Sequence, residues 1–184
     1  MALCAERRNA IFLGQGVEYP STTLSGTFRN VPPHKKLEMP VAEELQMGMA
    51  IGMALQSFLP ICVFPRWNFL LRAADQLVNH LDRLPIYSDG GYRPKVIIRT
   101  AIPSTEPFNP QSQHDDDFGT AFRYMLRTIP VRIIEDAESV VPFYEQALAS
   151  DTSTLLVERS HLYRLASKGV QSEISVPTKE PAHG

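Results

Sequence analysis

Two adjacent acids, Glu43 and Glu44, stand at the predicted start of a helix, shortly after Pro40. Carboxylates in the first turn of a helix are stabilised by the helix dipole by roughly 0.3–1 kcal/mol, which is reason enough for such a pair. A carboxylate at the start of a buried helix could also accept a hydrogen bond from a ligand nitrogen. Spacing alone favours the structural interpretation and leaves the ligand-binding one open.

Other polar clusters follow predicted strands, where parallel α/β sheets bind their ligands. Gly14-Gln15-Gly16 lacks the third glycine and the following helix of a dinucleotide fingerprint, and no GxxxxGK[ST] phosphate loop occurs in the chain. The run 114–117 (HDDD) is interpreted as a solvated loop, because adjacent carboxylates cannot all face one metal ion; His114 is its strongest functional candidate. Ser160 and His161 could form a nucleophile pair, but no GxSxG elbow surrounds Ser160.

Apolar runs alternate with helical segments along the chain, and these elements must position the polar clusters. The runs predict buried strands over residues 10–13, 60–64, 94–100, 131–134 and 154–158. Helices are predicted over residues 42–58, 69–84, 118–127 and 138–150, whereas residues 17–39 are predicted to be mostly loop. Helices between strands require crossover connections. The pattern therefore predicts an α/β fold, a three-layer sandwich with a mostly parallel sheet and helices on both faces.

Composition restricts the possible functions. A chain of 184 residues with 43% hydrophobic and 21% charged residues is typical of one globular domain. A net charge of -2 favours neither a nucleic-acid nor a membrane-surface partner, and no apolar run is long enough for a bilayer span. Cys4 and Cys62 form no CxxC motif, which favours a reducing, cytoplasmic location.

The first long helix carries small residues four positions apart, Gly48 and Gly52. A glycine inside a helix costs about 1 kcal/mol relative to alanine, so the two glycines indicate that something packs closely on this helix. The close neighbour is either the protein's own sheet or another subunit.

Four stretches together resemble one family. They are LGQGVEYP (13–20), the long segment from MPVAEELQ to NHLDRL (39–84), YSDGGYRPKVIIRT (87–100) and TLLVERSHLYR (154–164). Their order and spacing resemble the pyrimidine-binding domain of the β-subunit of 2-oxo acid dehydrogenases, a member of the transketolase-like, thiamine-diphosphate-dependent group. The resemblance covers residues 10–164, and the segment 39–84 is its most specific part.

The resemblance implies roles for individual residues. Pro40-Val41-Ala42-Glu43 matches the family's PxxE, so Glu43 is expected to bind the pyrimidine ring nitrogen of thiamine diphosphate and to act in catalysis. His114 matches a catalytic histidine near the substrate. Phe69 matches the aromatic residue that stacks on the pyrimidine ring, and Gln15, Val41 and Arg72 complete the expected cofactor-binding set. No residue of this chain is assigned to a metal.

The chain also departs from the family. Gln15 stands where the family often has a glutamate, and an amide cannot carry a proton as a carboxylate does. The family's GDG diphosphate motif and its C-terminal domain have no match. The resemblance therefore implies that an α-like partner chain holds the diphosphate and Mg²⁺, in an α2β2-type heterotetramer. Residues 1–166 are the expected pyrimidine-binding domain and residues 167–184 a flexible tail.

The function expected from the resemblance is that of a β-like subunit in a two-chain enzyme, inactive alone. It would activate thiamine diphosphate for decarboxylation of a 2-oxo acid, or for ketol or aldehyde transfer from a similar donor. The first alternative is a non-catalytic regulatory or assembly module that retains the fold. The second is an unrelated hydrolase that uses Ser160 and His161.

Overall fold

The computed structural model of the protein describes residues 1–19, 23–103 and 116–164. Its strands are β1 (Ala10–Gly14), β2 (Lys36–Glu38), β3 (Leu59–Phe64), β4 (Ile97–Ile102), β5 (Val131–Ile134) and β6 (Thr154–Arg159). Its α-helices are α1 (Ala2–Ala5), α2 (Glu43–Leu55), α3 (Trp67–Leu70), α4 (Leu84–Tyr87), α5 (Gly119–Met125) and α6 (Val140–Ala149). Short 3-10 turns cover Thr23–Phe28, Pro33–Lys35, Leu71–Ala73 and Ser160–Arg164, and a π-helical turn covers Gln76–Leu81.

The strands form one six-stranded sheet in the order β2-β1-β3-β4-β6-β5, and every pair is parallel. The predicted α/β fold with a parallel sheet is thus confirmed. β3 and β4 are buried along their whole length, as expected for central strands that are covered on both sides.

Successive side chains of the central strands enter two separate cores. Cys62 and Phe64 of β3 pack beneath α2 and α5, on what we call the α2 face. Ile61 and Val63 pack beneath α1 and α6, on the α6 face. Because strand side chains alternate between the two sides, residues two positions apart in these strands serve the same face.

The structure adds a strand that the sequence pattern does not predict. β2 is a three-residue edge strand, Lys36-Leu37-Glu38, within the region expected to be loop, and it pairs with β1. Two of its three side chains are charged, and the single leucine between them makes no apolar run. β4 also begins later than expected, because Val96 donates its N–H to Ser153 Oγ at 3.0 Å instead of to a neighbouring strand.

The helix predicted over residues 69–84 is broken into short turns. Its π-helical turn ends where Asp82 donates its N–H to the carbonyl of Leu77 at 3.0 Å. The buried Asp82 carboxylate then accepts hydrogen bonds from the N–H groups of residues 127–129 at 2.7–3.1 Å. These hydrogen bonds stabilise Asp82 at the end of the wider π-helical turn. Helical periodicity cannot predict them, because the partners are distant in the chain. Among the residues described, every helix is too short or too polar to traverse a lipid bilayer.

Candidate functional site

Glu43 is the first residue of α2 and its side chain is almost entirely buried, with 2% of the residue exposed. It begins the buried stripe of the helix, which continues through Gln46, Met47 and Ala50 at helical spacing. Glu44 lies in the same turn and is exposed to solvent. The helix-dipole explanation is sufficient for Glu44, but it does not explain why Glu43 points into the protein.

Two side chains from other elements reach the Glu43 carboxylate. Gln15 donates its Nε2 to Oε1 at 3.4 Å, and Arg72 Nε lies 3.3 Å from Oε2. The Arg72 N–H is not aligned for a hydrogen bond, so Oε2 has no hydrogen-bond partner among the described residues. Glu43 therefore keeps a free acceptor atom in a buried position.

The neighbours of Glu43 lie just beyond the carboxyl ends of adjacent strands. Gln15 follows β1, and its loop is held by Glu38, whose carboxylate accepts from Gly16 N at 2.6 Å and Glu18 N at 2.8 Å. Gly14 ends β1 with φ +150°, and a Cβ there would lie 2.2 Å from the carbonyl oxygen of Val63. Only glycine permits this approach of β1 to β3. This edge of a parallel sheet is where such folds bind ligands.

The sequence comparisons agree with this geometry. No protein-family model matches the chain. The chain is 24% identical to the mitochondrial pyruvate dehydrogenase E1 component subunit beta of Rattus norvegicus over 143 residues, which are 77% of this chain and 38% of the relative. It is also 24% identical over 140 residues to the corresponding subunit of Rickettsia bellii, covering 75% of this chain and 42% of the relative. The chain is a homologue of these β-subunits.

The chain spans less than half the length of the relatives it matches. Solved structures show the same fold. A split-gene transketolase, described as an inactive β4 tetramer, superposes with a TM-score of 0.63 at 16% identity over 84% of this chain and 46% of that one. A thiamin-diphosphate-dependent enzyme from Mycobacterium smegmatis, described as putative, gives a TM-score of 0.63 at 16% identity over 95% and 32% of the two chains. The resemblance identified in the sequence is confirmed.

The structure brings together three of the predicted site residues, Gln15, Glu43 and Arg72. Val41 lies two residues before Glu43 and is 77% exposed. Phe69 is partly buried in α3, shortly before Arg72 in the chain, and its stacking role stays a prediction. His114 lies outside the described residues.

Gln46 is a buried polar residue at this site that the sequence pattern did not single out. It lies one turn after Glu43 and is fully buried; Nε2 donates to the carbonyl of Val63 at 2.9 Å and approaches Cys62 Sγ at 3.4 Å. Gln46 Oε1 has no hydrogen-bond partner among the described residues. A glutamine on the apolar stripe of a helix, three residues after a candidate acid, was the available signal.

Neither cysteine nor metal chemistry is indicated beside Glu43. Burial raises the pKa of the Cys62 thiol to about 12, so the thiolate needed for nucleophilic attack is scarce near neutrality. Within residues 1–19, 23–103 and 116–164, no three His, Cys, Asp or Glu side chains are grouped as metal ligands. Asp116 accepts from Asn68 Nδ2 at 3.0 Å, and Asp117 lies 3.7 Å from an Arg159 nitrogen.

Proposed function

We propose that Glu43 binds the aminopyrimidine of thiamine diphosphate, and that this chain acts as the β-like subunit of a two-chain enzyme. The observation that carries the proposal is the Oε2 atom of Glu43, a buried acceptor without a hydrogen-bond partner among the described residues. Leaving a buried polar atom unpaired costs about 1–3 kcal/mol, and more if it is charged. A pyrimidine ring nitrogen that carries a proton would donate to Oε2 and recover that cost, so the residues present fit the cofactor.

The side chains around Glu43 have distinct tasks in this proposal. Gln15 donates to Oε1 and leaves Oε2 for the ligand. Arg72 is 75% exposed along its side chain and lies near Oε2. It makes no hydrogen bond to Oε2, so Arg72 can move aside when a ligand donor takes its place at the buried carboxylate. When bound, thiamine diphosphate would supply the carbon nucleophile and the electron sink for a 2-oxo acid or ketol donor.

A partner chain completes the proposed site. The sequence carries no match to the diphosphate-binding motif of the group, so we assign the diphosphate and Mg²⁺ to an α-like subunit. The relatives are named as β-subunits of a larger enzyme component, and one structural neighbour is a split-gene protein; both descriptions support a multichain assembly. We keep the cytoplasm as the proposed location, with residues 1–166 as the cofactor-binding domain.

The outer surface of helix α2 supports self-association of this chain in an assembly of two α-like and two β-like subunits. Among the described residues, a Cβ added to Gly52 would meet no atom within 4 Å, and one at Gly48 would meet only the Gln76 side chain, at 3.6 Å. The hypothesis that these glycines allow close packing on the protein's own sheet is therefore wrong. Leu45 and Leu55 on the same helix are 56% and 42% exposed. Close approach of α2 from a second copy would use both features.

The experiment compares two neighbouring acids. The tagged chain is purified with its native partner, and binding of thiamine diphosphate is measured calorimetrically in the presence of Mg²⁺. Glu43→Gln is expected to weaken binding roughly 10- to 100-fold, the loss of about 1.5–3 kcal/mol for a hydrogen bond to a charged group. Glu44→Gln, an exposed substitution in the same turn, is the matched control and should bind as the wild type does.

Equal cofactor affinity in both variants and the wild type would contradict the assignment of Glu43. Cofactor affinity is then also measured for the isolated chain and compared with that of the complex. The proposal requires the isolated chain to bind the cofactor poorly.

A second candidate is the non-catalytic module that retains the fold. Two neighbours of Glu43 favour it. Arg72 places a guanidinium beside Glu43, and Gln15 places an amide where an acid is expected. Neither residue provides a carboxyl group that could transfer a proton. A partner that turns over substrate at its full rate without this chain would establish the second candidate and reject the first.

A further inference from the structure

A separate cavity of about 300 Å³ lies on the α6 face, on the opposite side of the sheet from Glu43. Leu3, Val140, Val141 and Leu162 form much of its apolar wall. Val141 is 54% exposed, so the cavity is open to solvent beside this residue. Its size and mainly apolar lining are typical of small-molecule sites, which combine apolar walls with a few oriented polar groups.

The polar wall of the cavity is built around a buried ion pair. Arg99 Nε and Nη2 donate to the two carboxylate oxygens of Glu158 at 2.8 and 2.7 Å, and both residues are almost fully buried. The hydroxyls of Tyr144 and Tyr163 also donate to Glu158. The Arg99 guanidinium stacks near the Tyr163 ring, 5.8 Å from its centroid. These contacts hold the polar groups rigidly in one arrangement.

The side-chain charges in this wall cancel one another, and the amino group of Met1, which also lines the cavity, has its pKa lowered from 8.0 by burial and by the Arg99 charge. One guanidinium neutralises one carboxylate, and the tyrosines are neutral, because burial and the adjacent Glu158 charge raise the pKa of both phenols well above the usual value. A charged ligand would lose its hydration here and find no free counter-charge once the Met1 amino group is neutral. An uncharged ligand could rest an apolar body on the walls while its hydroxyl donates to a phenol oxygen, or its carbonyl accepts from the guanidinium.

We propose that this cavity binds a small uncharged molecule with an aromatic or branched aliphatic body and one hydroxyl or carbonyl group. A dry cavity of roughly 150 Å³ holds a single benzene ring, so a bicyclic molecule matches the larger volume here. The site lies across the sheet from Glu43 and needs neither the cofactor nor the partner chain. It therefore goes beyond the function proposed above and stands independently of it.

The test uses the full chain and two probes of equal ring size, 2-naphthol and 2-naphthoate. At about pH 8.5, above the lowered pKa of the Met1 amino group, calorimetry and NMR titration should show saturable 1:1 binding of 2-naphthol. Under the same conditions 2-naphthoate should bind at least about tenfold more weakly, because its charge has no partner in the wall. Amide signals that shift with 2-naphthol should come from residues around the cavity, such as Thr27 and Leu162, and not from those around Glu43.

Variants locate the binding. Val140→Trp fills the cavity from α6, and Ala137→Trp fills it from the bend before that helix. A filled cavity should lose affinity for 2-naphthol by about tenfold or more, as a large part of the buried contact area disappears. Tyr124→Trp is the control, because Tyr124 is 87% exposed and does not line the cavity. Circular dichroism checks that each variant is folded, and either filling variant suffices if the other unfolds.

Three results would each overturn the proposal. They are no saturable binding of 2-naphthol, equal affinity for 2-naphthoate, or wild-type affinity in a folded filling variant.

Discussion

Glu43 and Glu158 are both buried carboxylates in the same sheet-based fold, but their surroundings differ in one respect. They are 2% and 3% exposed, on opposite faces of the sheet. Glu158 accepts hydrogen bonds from Arg99 on both oxygens and from two tyrosines. Glu43 accepts one long hydrogen bond at 3.4 Å, and its second oxygen has none among the described residues.

The comparison teaches that burial of an acid does not by itself mark a functional site. A buried carboxylate whose oxygens all have donors within the protein serves the fold, whereas one with an unused oxygen can serve a ligand. Asp82 belongs with Glu158, since the N–H groups of Arg127, Thr128 and Ile129 fill its acceptor positions. The following predictions test this distinction, beginning with the largest expected effect.

Arg99→Met should destabilise the protein by about 3–5 kcal/mol, because it leaves the Glu158 charge buried without its partner. Urea unfolding followed by circular dichroism measures this loss. The double variant Arg99→Met/Glu158→Leu removes both charges and should recover a large part of the stability. A loss below about 1 kcal/mol for the single variant would mean that the ion pair is not a determinant of the fold.

The pH dependence of stability should reveal the same cluster. Burial pushes the pKa of Glu158 upward, but attraction to Arg99 and three sets of hydrogen bonds outweigh it, so the folded-state pKa lies below the ordinary value of 4.5. A carboxyl with a depressed pKa stabilises the fold above the unfolded-state value and loses that contribution as the pH falls through the folded-state value. The urea concentration at the unfolding midpoint should therefore decrease as the pH is lowered below about 4.5. In Glu158→Gln this decrease should be less steep.

The tyrosines of this cluster give the opposite sign at high pH. Burial, followed by the Glu158 charge, raises the pKa of Tyr144 and Tyr163 above the ordinary value of 10.0. A raised pKa contributes stability that is complete below the unfolded-state value and is lost as the pH rises through the folded-state value. Stability should decline above about pH 10, and Tyr144→Phe should reduce that decline.

Glu43→Gln should change the free energy of unfolding by less than about 1 kcal/mol in either direction, although we expect it to weaken cofactor binding strongly. The carboxylate that it replaces is incompletely paired, and neutral side chains are cheaper to bury. Urea unfolding of Glu43→Gln beside Glu158→Gln makes the comparison direct. Equal destabilisation of the two variants would remove the distinction between a structural and a ligand-binding acid.

Arg72→Gln should have the smallest effect on stability, below about 0.5 kcal/mol, because ion pairs with an exposed partner contribute little. The same urea measurement checks this value. A loss above about 2 kcal/mol would show that Arg72 is an obligatory partner of the Glu43 charge, and the proposal that a ligand displaces it would then be wrong.

The chain's own pattern was sufficient for the fold class and for most of the elements. Central strands such as β3 are continuous apolar runs, and this property requires no knowledge of their neighbours. β2 was not predicted, because its pairing with β1, and not an apolar run in its sequence, makes it a strand. The π-helical turn before Asp82 likewise depends on partners more than forty residues away.

The resemblance to the family's PxxE motif singled out Glu43, whereas its position at the start of a helix did not distinguish it from Glu44. The burial of Glu43 was decided by tertiary structure, because only packing against the sheet decides which of two adjacent helical residues turns inward. The meeting of Gln15, Glu43 and Arg72, and the Arg99–Glu158 pair with its cavity, join residues that are far apart in the chain. Sequence determines local preference and periodicity, whereas hydrogen-bond completeness around a buried charge is a property of the assembled fold.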